Sequence, residues 1–405
     1  MSAPGRAHFL GSALILAGTA IGAGMLALPF VAIQIGFFPT ILVFLITAFF
    51  MAFAGLLMLE ANLSIGPGCS LYVMAAKVLG RPGKVVATVA PLGLFYSLMV
   101  AYLVGGGGLI KQLVSAAFSY SMSIQLCITV FALVASIVVW NSTKAVDYIN
   151  RFLFLLMLVA FLAAVLALFP GIQYTRLTAI GMSRDALWVV LPVVFTSFGF
   201  HGTIPSLILY QRDNLDLLPK AFVSGTLLAF LFYVVWLIIS MGNLDGNTFS
   251  GLGKADNSVG GLIQQLSLSA AAWEYTEVFL YAFSDLALLT SVLGVSLGLF
   301  DYLASLFQRQ ESVKGRFQTS LLTFLPPLVC AIFFPDGFIA ALGYAAVALS
   351  VLAVLLPTAI VWKLRQSNLA SSVYRVPGGR GLLFCSFLFG SAVILLQLLG
   401  SMGVL

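Results

Sequence analysis

Apolar residues fill this chain in long runs, and short segments rich in polar and charged residues separate the runs. A helix needs about 20 mostly apolar residues to cross the hydrocarbon core of a bilayer. Eleven runs reach this length and predict eleven transmembrane helices, numbered here as spans one to eleven. Their approximate bounds are 9–35, 38–62, 85–117, 124–140, 151–169, 187–210, 220–242, 273–306, 317–335, 337–362 and 382–404.

Two segments between the spans have some regularity of their own. Residues 63–84 are predicted to form a half-helix on the inner side, between spans two and three. The long polar segment 243–272 is predicted to form a cap on the outer side. The whole pattern therefore predicts an all-α polytopic membrane protein, with residues 1–405 in one transmembrane domain.

Composition agrees with a lipid bilayer as the main solvent. Hydrophobic residues make up 61% of the 405 residues and charged residues 8%, whereas a soluble domain has about 25% charged residues. The first apolar run is too long for a signal-peptide core and is predicted to remain as span one. The four cysteines are scattered, so neither a disulfide framework nor a metal site is expected.

The basic residues predict the orientation of the spans. With the N-terminus in the cytoplasm, the inner segments contain every Lys and Arg except Lys111, Arg176, Arg184 and Lys254, out of 19 in the chain. Cytoplasmic loops carry such an excess of Lys and Arg. We therefore predict an N-in/C-out topology, and we interpret the net charge of +6 as basic loops and not as a nucleic-acid surface.

Spans one and six each contain helix-weakening residues at mid-depth. Residues 17–30, AGTAIGAGMLALPF, combine three glycines with a proline, and residues 194–207, VFTSFGFHGTIPSL, combine two glycines with a proline. The glycines of one such span would be explained equally well by close helix packing. Two broken spans that cross the membrane in opposite directions, however, indicate an inverted-repeat transporter.

The physical reason lies in the cost of unpaired backbone groups in lipid. Each unsatisfied N–H or C=O group costs several kcal/mol there, so unwound backbone is tolerated only where it lines a polar cavity. In such a cavity, freed N–H groups can bind a carboxylate and freed carbonyl groups can bind an ammonium group or a cation.

Four sequence motifs resemble those of the bacterial hydroxy/aromatic amino acid permeases, which include tyrosine-specific and tryptophan-specific carriers. They are GTAIGAGMLALP, FTSFGFHGTIPSL, SLGLFDYLASLF and LGYAAVALSVLAVLLP, and the similarity extends from about Phe9 to Leu399. FTSFGFHG and DLALLTS resemble the tyrosine subgroup, whereas LEANL and MGNL are more similar to the tryptophan subgroup.

The resemblance implies a LeuT-like fold of five plus five inverted helices, with broken helices one and six and one additional helix. The repeats would comprise about 9–169 and 187–362, and the additional helix about 382–404. It also implies import of an aromatic amino acid, tyrosine in the first place, across the bacterial inner membrane by proton symport and without a cofactor. Tryptophan or broad aromatic specificity and sodium coupling are the alternatives.

The substrate-binding residues are expected at the two breaks. The backbone of span one is expected to bind the α-carboxylate, and the backbone and hydroxyl groups of span six the α-ammonium group. Phe198, Phe200 and Tyr102 are candidates to surround the ring, and a LeuT-like carrier has a tyrosine at the position of Tyr102. The full set is Thr19, Ala20, Gly22, Ala23, Gly24, Tyr102, Thr196, Ser197, Phe198, Gly199, Phe200 and His201.

A second candidate site concerns the coupled ion. Ala287, Thr290 and Ser291 form an A-x-x-T-S pattern in span eight, and LeuT-like sodium carriers use this spacing together with carbonyl groups of span one, here Gly18 and Ile21. Oxygen ligands suit a hard cation. Hydrogen bonds from the two hydroxyls to their own helix explain the same pattern equally well.

Asp285 and His201 are the titratable candidates for proton coupling. An ionised carboxylate at the centre of a membrane helix costs about 2.5–3.5 kcal/mol, so an acid in a span is a functional candidate. Asp285 is nominated as the proton acceptor, with a structural hydrogen bond as the alternative. His201 is equally well interpreted as a proton relay, a substrate contact or a helix-to-helix hydrogen bond. Glu60 and Asp301, near inner helix ends, are expected to form ion pairs with loop Arg or Lys.

Two other functional classes receive little support. Residues 294–298 match the G-x-S-x-G pattern of hydrolases, but that motif needs a strand–turn–helix context and here lies within an apolar helix. The chain is therefore not expected to be an enzyme. A channel is disfavoured because antiparallel broken helices favour alternating access, and Gly105 to Gly108 are interpreted as a site of close packing and not as a phosphate loop.

Overall fold

The computed structural model of the protein describes residues 3–118, 120–178, 186–211, 215–244, 259–269, 275–308, 312–367 and 374–402. Within these ranges the chain forms helices and short connections, without strands. The α-helices are α1 Ala3–Ala20, α2 Leu28–Ile35, α3 Phe37–Ile65, α4 Leu71–Phe118, α5 Ile124–Asn141, α6 Thr143–Leu168, α7 Tyr174–Leu177, α8 Leu187–Ser197, α9 Ile204–Tyr210, α10 Leu218–Asn243, α11 Val259–Ser269, α12 Thr276–Leu306, α13 Val313–Phe333, α14 Phe338–Leu349, α15 Leu356–Gln366 and α16 Gly379–Ser401.

The number of spans agrees with the sequence prediction. Over the described ranges, ten helices are long and apolar enough to cross a membrane, or eleven if the bent pair His8–Ala20 and Ala23–Ile35 is counted as one span. Most predicted bounds agree within a few residues. Span five is longer than predicted, because α6 begins at Thr143 and includes a polar first turn.

The predicted half-helix before span three is present and continues into that span. α4 begins at Leu71, and its backbone leaves the helical region at Gly80, where φ is 71° and ψ is −147°. Glycine adopts this left-handed φ without the steric cost of a side chain. Pro82 follows in the first turn of the second piece, where a missing N–H costs nothing.

The long helices pack side by side, and their apolar side chains also cover the outer surface. α12 packs along α6, α14 along α4, and α1 along α10. Large apolar side chains such as Phe38, Leu155 and Leu388 are at least half exposed, which suits contact with lipid. In the polar segment between spans seven and eight, α11 packs on α12 and α4, while residues 245–258 and 270–274 lie outside the described ranges.

Span ten contains a π-helical segment at Ser350–Leu355 between α14 and α15. Such segments are frequent at functional sites because they free backbone groups within a helix. The hydroxyl of Ser350 donates to the carbonyl oxygen of Gly390 at 2.8 Å and thereby connects the segment to α16.

An ion pair connects spans two and ten at the end of the bundle that contains Lys84 and Arg151, called here the Lys84 end. The Arg365 guanidinium donates to both carboxylate oxygens of Glu60, at 2.8 and 2.6 Å, and both side chains are largely buried. The N–H of Val376 donates to the same carboxylate at 2.7 Å. The expectation of an ion pair at Glu60 is therefore confirmed.

Candidate functional site

Span one is interrupted between α1 and α2. α1 ends at Ala20, Ile21 and Gly22 form a bend, and a 3-10 turn at Ala23–Ala27 leads into α2, with the two halves bent by 47°. The N–H of Met25 donates to the carbonyl oxygen of Gly22 at 3.0 Å, so normal α-helical pairing is lost across the bend. Pro29 lies in the first turn of α2, a position that tolerates proline.

Span six is interrupted at the corresponding place in its sequence pattern. α8 ends at Ser197, residues 198–200 are non-helical, and a 3-10 turn at His201–Thr203 precedes α9. The N–H of Phe200 donates to the carbonyl oxygen of Phe198 at 3.0 Å. Pro205 lies in the first turn of α9 and matches the role of the proline in span one. Both predicted breaks are thus present.

A cavity of about 1560 Å³ lies against both breaks. It extends to the Lys84 end of the bundle, where Tyr72, Lys84, Arg151 and Ser305 are exposed along its wall. Most of the lining is apolar, with polar groups both at the breaks and toward the Lys84 end. Such a lining is typical of sites that bind a small organic molecule with a few fixed polar groups.

Most of the sequence-predicted residues come together in this cavity. Its wall includes Gly18, Thr19, Ala20, Ile21, Gly22, Gly24, Tyr102, Thr196, Ser197, Gly199, His201, Thr290 and Ser291. Five candidates do not line it, namely Ala23, Phe198, Phe200, Asp285 and Ala287.

The interruptions of spans one and six are called here break one and break two. The two phenylalanines of break two, Phe198 and Phe200, point into the helix bundle. Phe198 and Phe200 are fully buried. The ring of Phe198 packs edge-on against Phe44 of α3, with centroids 6.0 Å apart, and the ring of Phe200 stacks on His201 at 4.5 Å. The phenylalanine and tyrosine residues that do line the cavity are Tyr72, Phe95, Phe154, Tyr302 and the predicted Tyr102.

Side-chain hydroxyl groups form hydrogen bonds with some backbone N–H and C=O groups at and near the breaks. Ser291 accepts a hydrogen bond from the N–H of Ala23 at 2.8 Å, and its hydroxyl also interacts with Tyr102. Thr196 donates to the carbonyl oxygens of Pro192 and Leu342, at 3.0 and 2.9 Å. Their remaining lone pairs can accept hydrogen bonds from an ammonium group.

The two hydroxyls of the A-x-x-T-S pattern have different partners. Thr290 donates to the carbonyl oxygens of Leu286 and Ala287 in its own helix, at 2.8 and 3.1 Å. Ser291 instead contacts span one through the N–H of Ala23. The helix back-bonding alternative therefore describes Thr290, whereas Ser291 joins spans eight and one.

The two titratable candidates differ in their access to the cavity. His201 lines the cavity, and its Nε2 lies 3.1 Å from the carbonyl oxygen of Met51, while Nδ1 has no hydrogen-bond partner within the described ranges. Asp285 is half-buried in α12, away from the cavity wall, with Tyr281 nearby.

Two residues of span seven support the breaks and were not predicted. The hydroxyl of Tyr233 lies 2.6 Å from the carbonyl oxygens of both Ala20 and Ser197. The indole N–H of Trp236 donates to the carbonyl oxygen of Met25 at 3.0 Å. The available signal was the i, i+3 spacing of two aromatic residues whose polar tips need a partner when buried.

The opposite end of the bundle, beyond the breaks, is packed. Phe161, Phe232, Trp236 and Phe283 form an aromatic cluster there, with the rings of Phe161 and Phe232 stacked at 4.0 Å. Asn243 donates to the carbonyl oxygen of Leu168 at 3.0 Å near the end of this region. Within the described ranges, the cavity therefore reaches exposed residues at the Lys84 end, and packed aromatic side chains lie on the side toward Asn243.

Comparisons with known proteins agree with this geometry. The sequence profile of the tryptophan/tyrosine permease family matches residues 6–397. A tryptophan-specific transport protein of Pseudomonas aeruginosa is 35% identical over 98% of this chain and 96% of its own length. The tyrosine-specific transport system 1 of Haemophilus influenzae is 36% identical over 94% of both chains. Glutamine transporter 2 of Aliivibrio fischeri is 33% identical over 96% of this chain and 98% of its own length.

These relatives are transport proteins and not enzymes, so the hydrolase alternative is removed. Ser296 of the G-x-S-x-G pattern supports this conclusion, because its hydroxyl donates to the carbonyl oxygen of Leu293 within the continuous helix α12.

Proposed function

The chain belongs to the tryptophan/tyrosine permease family, and we propose that it imports tyrosine across the bacterial inner membrane in symport with protons. It is a multi-pass membrane transport protein and not an enzyme. The observation that carries the proposal is one cavity bordered by two interrupted helices, because unwound backbone provides both donors and acceptors for a zwitterion.

Two poles of the site would bind the amino acid backbone. The N–H groups around Gly22 and Gly24 would face the α-carboxylate, where the absence of side chains permits close approach. The carbonyl and hydroxyl oxygens of Thr196 and Ser197 would face the α-ammonium group. Ser291 would exchange its contact with Ala23 for a contact with the carboxylate.

The aromatic ring would lie in the part of the cavity that extends toward the Lys84 end. Phe95, Phe154 and Tyr302 line this part and offer ring faces and edges. Aromatic pairs are worth about 0.5–1.5 kcal/mol beyond the area they bury. The motifs FTSFGFHG and DLALLTS, which resemble the tyrosine subgroup, favour tyrosine over tryptophan as the main substrate.

The two breaks would occupy equivalent positions in a LeuT-like inverted repeat. In this arrangement residues 9–169 and 187–362 form the two repeats, 382–404 form the additional helix, and the N-terminus is cytoplasmic. The Lys84 end is then the cytoplasmic end, and the cavity is open to the inside. A reporter enzyme fused after Leu405 tests the orientation. We expect activity from a reporter that works only outside the cytoplasm, and activity from a reporter that works only in the cytoplasm would contradict the proposal.

The coupled proton would bind to one of the two titratable residues in the spans. His201 is the better situated, since it lines the cavity and its Nδ1 lacks a partner within the described ranges, whereas Asp285 would act from the side of α12. Two assays on variants of His201 and Asp285 distinguish the two residues: accumulation driven by a pH gradient, which needs the proton site, and exchange of substrate, which does not. We expect His201→Gln to lose accumulation driven by a pH gradient and to retain tyrosine counterflow, and Asp285→Asn serves as the paired variant.

The decisive experiment is uptake of radiolabelled tyrosine into proteoliposomes that contain the purified protein. We expect saturable uptake that follows an imposed pH gradient, is unchanged in sodium-free buffer, and is inhibited by unlabelled tyrosine more strongly than by tryptophan, phenylalanine, glutamine or serine. Stronger inhibition by tryptophan or glutamine would transfer the assignment to that amino acid. If uptake requires sodium, the coupled ion is sodium and not the proton. Thr290 and Ser291, with Gly18 and Ile21, would then be its ligands.

A further inference from the structure

The two breaks each free a backbone carbonyl group that an intact helix would use. In an α-helix the carbonyl of residue i accepts from the N–H of residue i+4. The carbonyl of Ala20 would thus pair with Gly24, and that of Ser197 with His201. Those pairs are replaced by the 3-10 turns that begin at Ala23 and His201. Both carbonyl groups therefore need other partners at mid-depth, where each unsatisfied group costs free energy.

Tyr233 is the partner of both carbonyl groups. Its hydroxyl oxygen lies 2.6 Å from the carbonyl oxygen of Ala20 and 2.6 Å from that of Ser197. The two carbonyl oxygens belong to different half-helices, 177 positions apart in sequence, as the residue numbers give. One side chain of span seven thus connects the end of α1 to the end of α8.

The ring of Tyr233 is fixed in place by packing. The side chain is fully buried. Phe44 and Phe198 both pack edge-on against the ring, with centroid distances of 5.8 and 5.4 Å. Tyr233 does not line the cavity, whereas Ala20 and Ser197 do. It therefore contacts the breaks from behind, on the side away from the open volume.

The hydroxyl satisfies the two carbonyl groups only in part. A phenol has one proton, so it donates to one carbonyl at a time or shares the proton between them. Each carbonyl oxygen has two lone pairs, so both retain acceptor capacity toward the cavity. Two such oxygens held close together form a site for a group with several N–H donors and positive charge, which is the chemistry of a primary ammonium.

Resting on the proposed function, we infer that Tyr233 is a positioning residue that holds the carbonyl groups of Ala20 and Ser197 where they bind the α-ammonium group of the substrate. Its hydroxyl connects the two breaks, so the two half-helix ends keep a fixed separation. Every amino acid substrate has the same ammonium group. The residue therefore contributes to affinity for all of them and not to the choice of side chain.

The test compares Tyr233→Phe with Tyr96→Phe. Tyr96 is the matched control, because its hydroxyl also donates to a helix carbonyl, that of Leu322 at 2.9 Å, and it does not line the cavity. KM and the maximal rate per amount of reconstituted protein are measured for tyrosine and for tryptophan. Loss of a hydrogen bond that positions the site predicts a KM about tenfold higher for Tyr233→Phe.

Three readouts separate positioning from a general structural role. We expect KM to rise equally for both amino acids, so that their ratio is unchanged, while the maximal rate stays within about twofold. Tyr96→Phe should keep the KM of the unmodified protein. An unchanged KM for Tyr233→Phe, a changed ratio between the two amino acids, or a fall in the maximal rate alone would overturn the inference.

A second variant covers the case in which Tyr233→Phe does not accumulate in the membrane. Incorporation of 4-aminophenylalanine at position 233 keeps the ring and supplies two N–H donors, one for each carbonyl. We expect this protein to have a KM close to that of the unmodified one, and a KM about tenfold higher would contradict the inference. Failure of the unmodified protein to transport tyrosine or tryptophan would instead refute the proposed function.

Discussion

The two breaks have the same position in their spans but are held in different ways. Break one, at Ile21 and Gly22, donates to Ser291 of α12 through the N–H of Ala23 and accepts from Trp236 of α10, while Tyr233 of α10 contacts a carbonyl group at each break. Break two, at residues 198–200, is held mainly by aromatic packing against α3, where Phe198 meets Phe44 and Phe200 abuts Gly55.

The difference indicates that the two breaks have different roles in the site. Small residues at break one leave the backbone open to the cavity, so polar groups must come from neighbouring helices. Large side chains at break two turn away from the cavity and anchor it, so that Thr196 and Ser197 remain on the cavity side. Break one is therefore expected to be sensitive to enlarged side chains, and break two to truncated side chains.

Removal of an anchor at break two should have the largest effect, and on stability. Phe200→Ala empties a fully buried site beside Gly55 and His201 and should lower the free energy of unfolding by about 3–5 kcal/mol. Thermal unfolding in detergent measures this loss. Phe152→Ala, on the exposed face of α6, is the control. Equal stability of the two variants would contradict the anchoring role.

Added volume at break one should abolish uptake without unfolding. A Cβ atom at Gly24 would lie 3.5 Å from Oγ of Ser197, so the longer side chain of Gly24→Leu fills the space between the breaks. Displacement of a bound substrate by about 1 Å can cost about 100-fold in rate, and we expect a loss of at least that size. Gly400→Leu, where a Cβ meets no atom within 4 Å, should transport normally.

The addition of a single methyl group compares the two breaks under a milder change. A Cβ atom at Gly22 would lie 2.9 Å from Oγ of Ser291, so Gly22→Ala should displace that hydroxyl from the N–H of Ala23. We expect KM to rise about tenfold. Gly202→Ala beside break two should leave KM unchanged, because nothing lies within 4 Å of its added Cβ. Equal effects at both positions would remove the asymmetry.

The smallest effect is expected from a single hydroxyl. Ser291→Ala removes the acceptor for the N–H of Ala23, and a net hydrogen bond of about 1 kcal/mol predicts a KM about fivefold higher. Ser296→Ala is the matched control on the same helix, since its hydroxyl donates to the carbonyl oxygen of Leu293 in its own turn. Kinetics of tyrosine uptake measure both variants. An effect as large at Ser296 would show that α12 is generally sensitive and that break one has no special partner.

The positions of the breaks could be predicted because glycine and proline weaken helices through the backbone alone. Gly22 and Pro29, or Gly199 and Pro205, carry that signal locally, and length and hydropathy locate the spans in the same way. The half-helix before span three is predicted as residues 63–84, whereas in the structure it runs from Leu71 to the interruption at Gly80.

The orientation of individual aromatic side chains could not be predicted. Phe198 and Phe200 are adjacent to the site in sequence, but the local backbone at residues 198–200 turns both rings into the bundle. Tyr233 is one of 13 tyrosines and lies in an ordinary apolar span, so its role depends on contacts with residues far away in sequence. Single-sequence patterns contain no information on such contacts.

The connection between Glu60, Arg365 and Val376 has a consequence for how this chain can diverge. Loss of either charge alone leaves the other buried without a counter-charge, which typically lowers the free energy of unfolding by about 3–5 kcal/mol. Replacement of both by well-fitted apolar residues removes that penalty. Substitutions at positions 60 and 365 should therefore appear together in descendants of this sequence, and a lineage with only one of them should be rare.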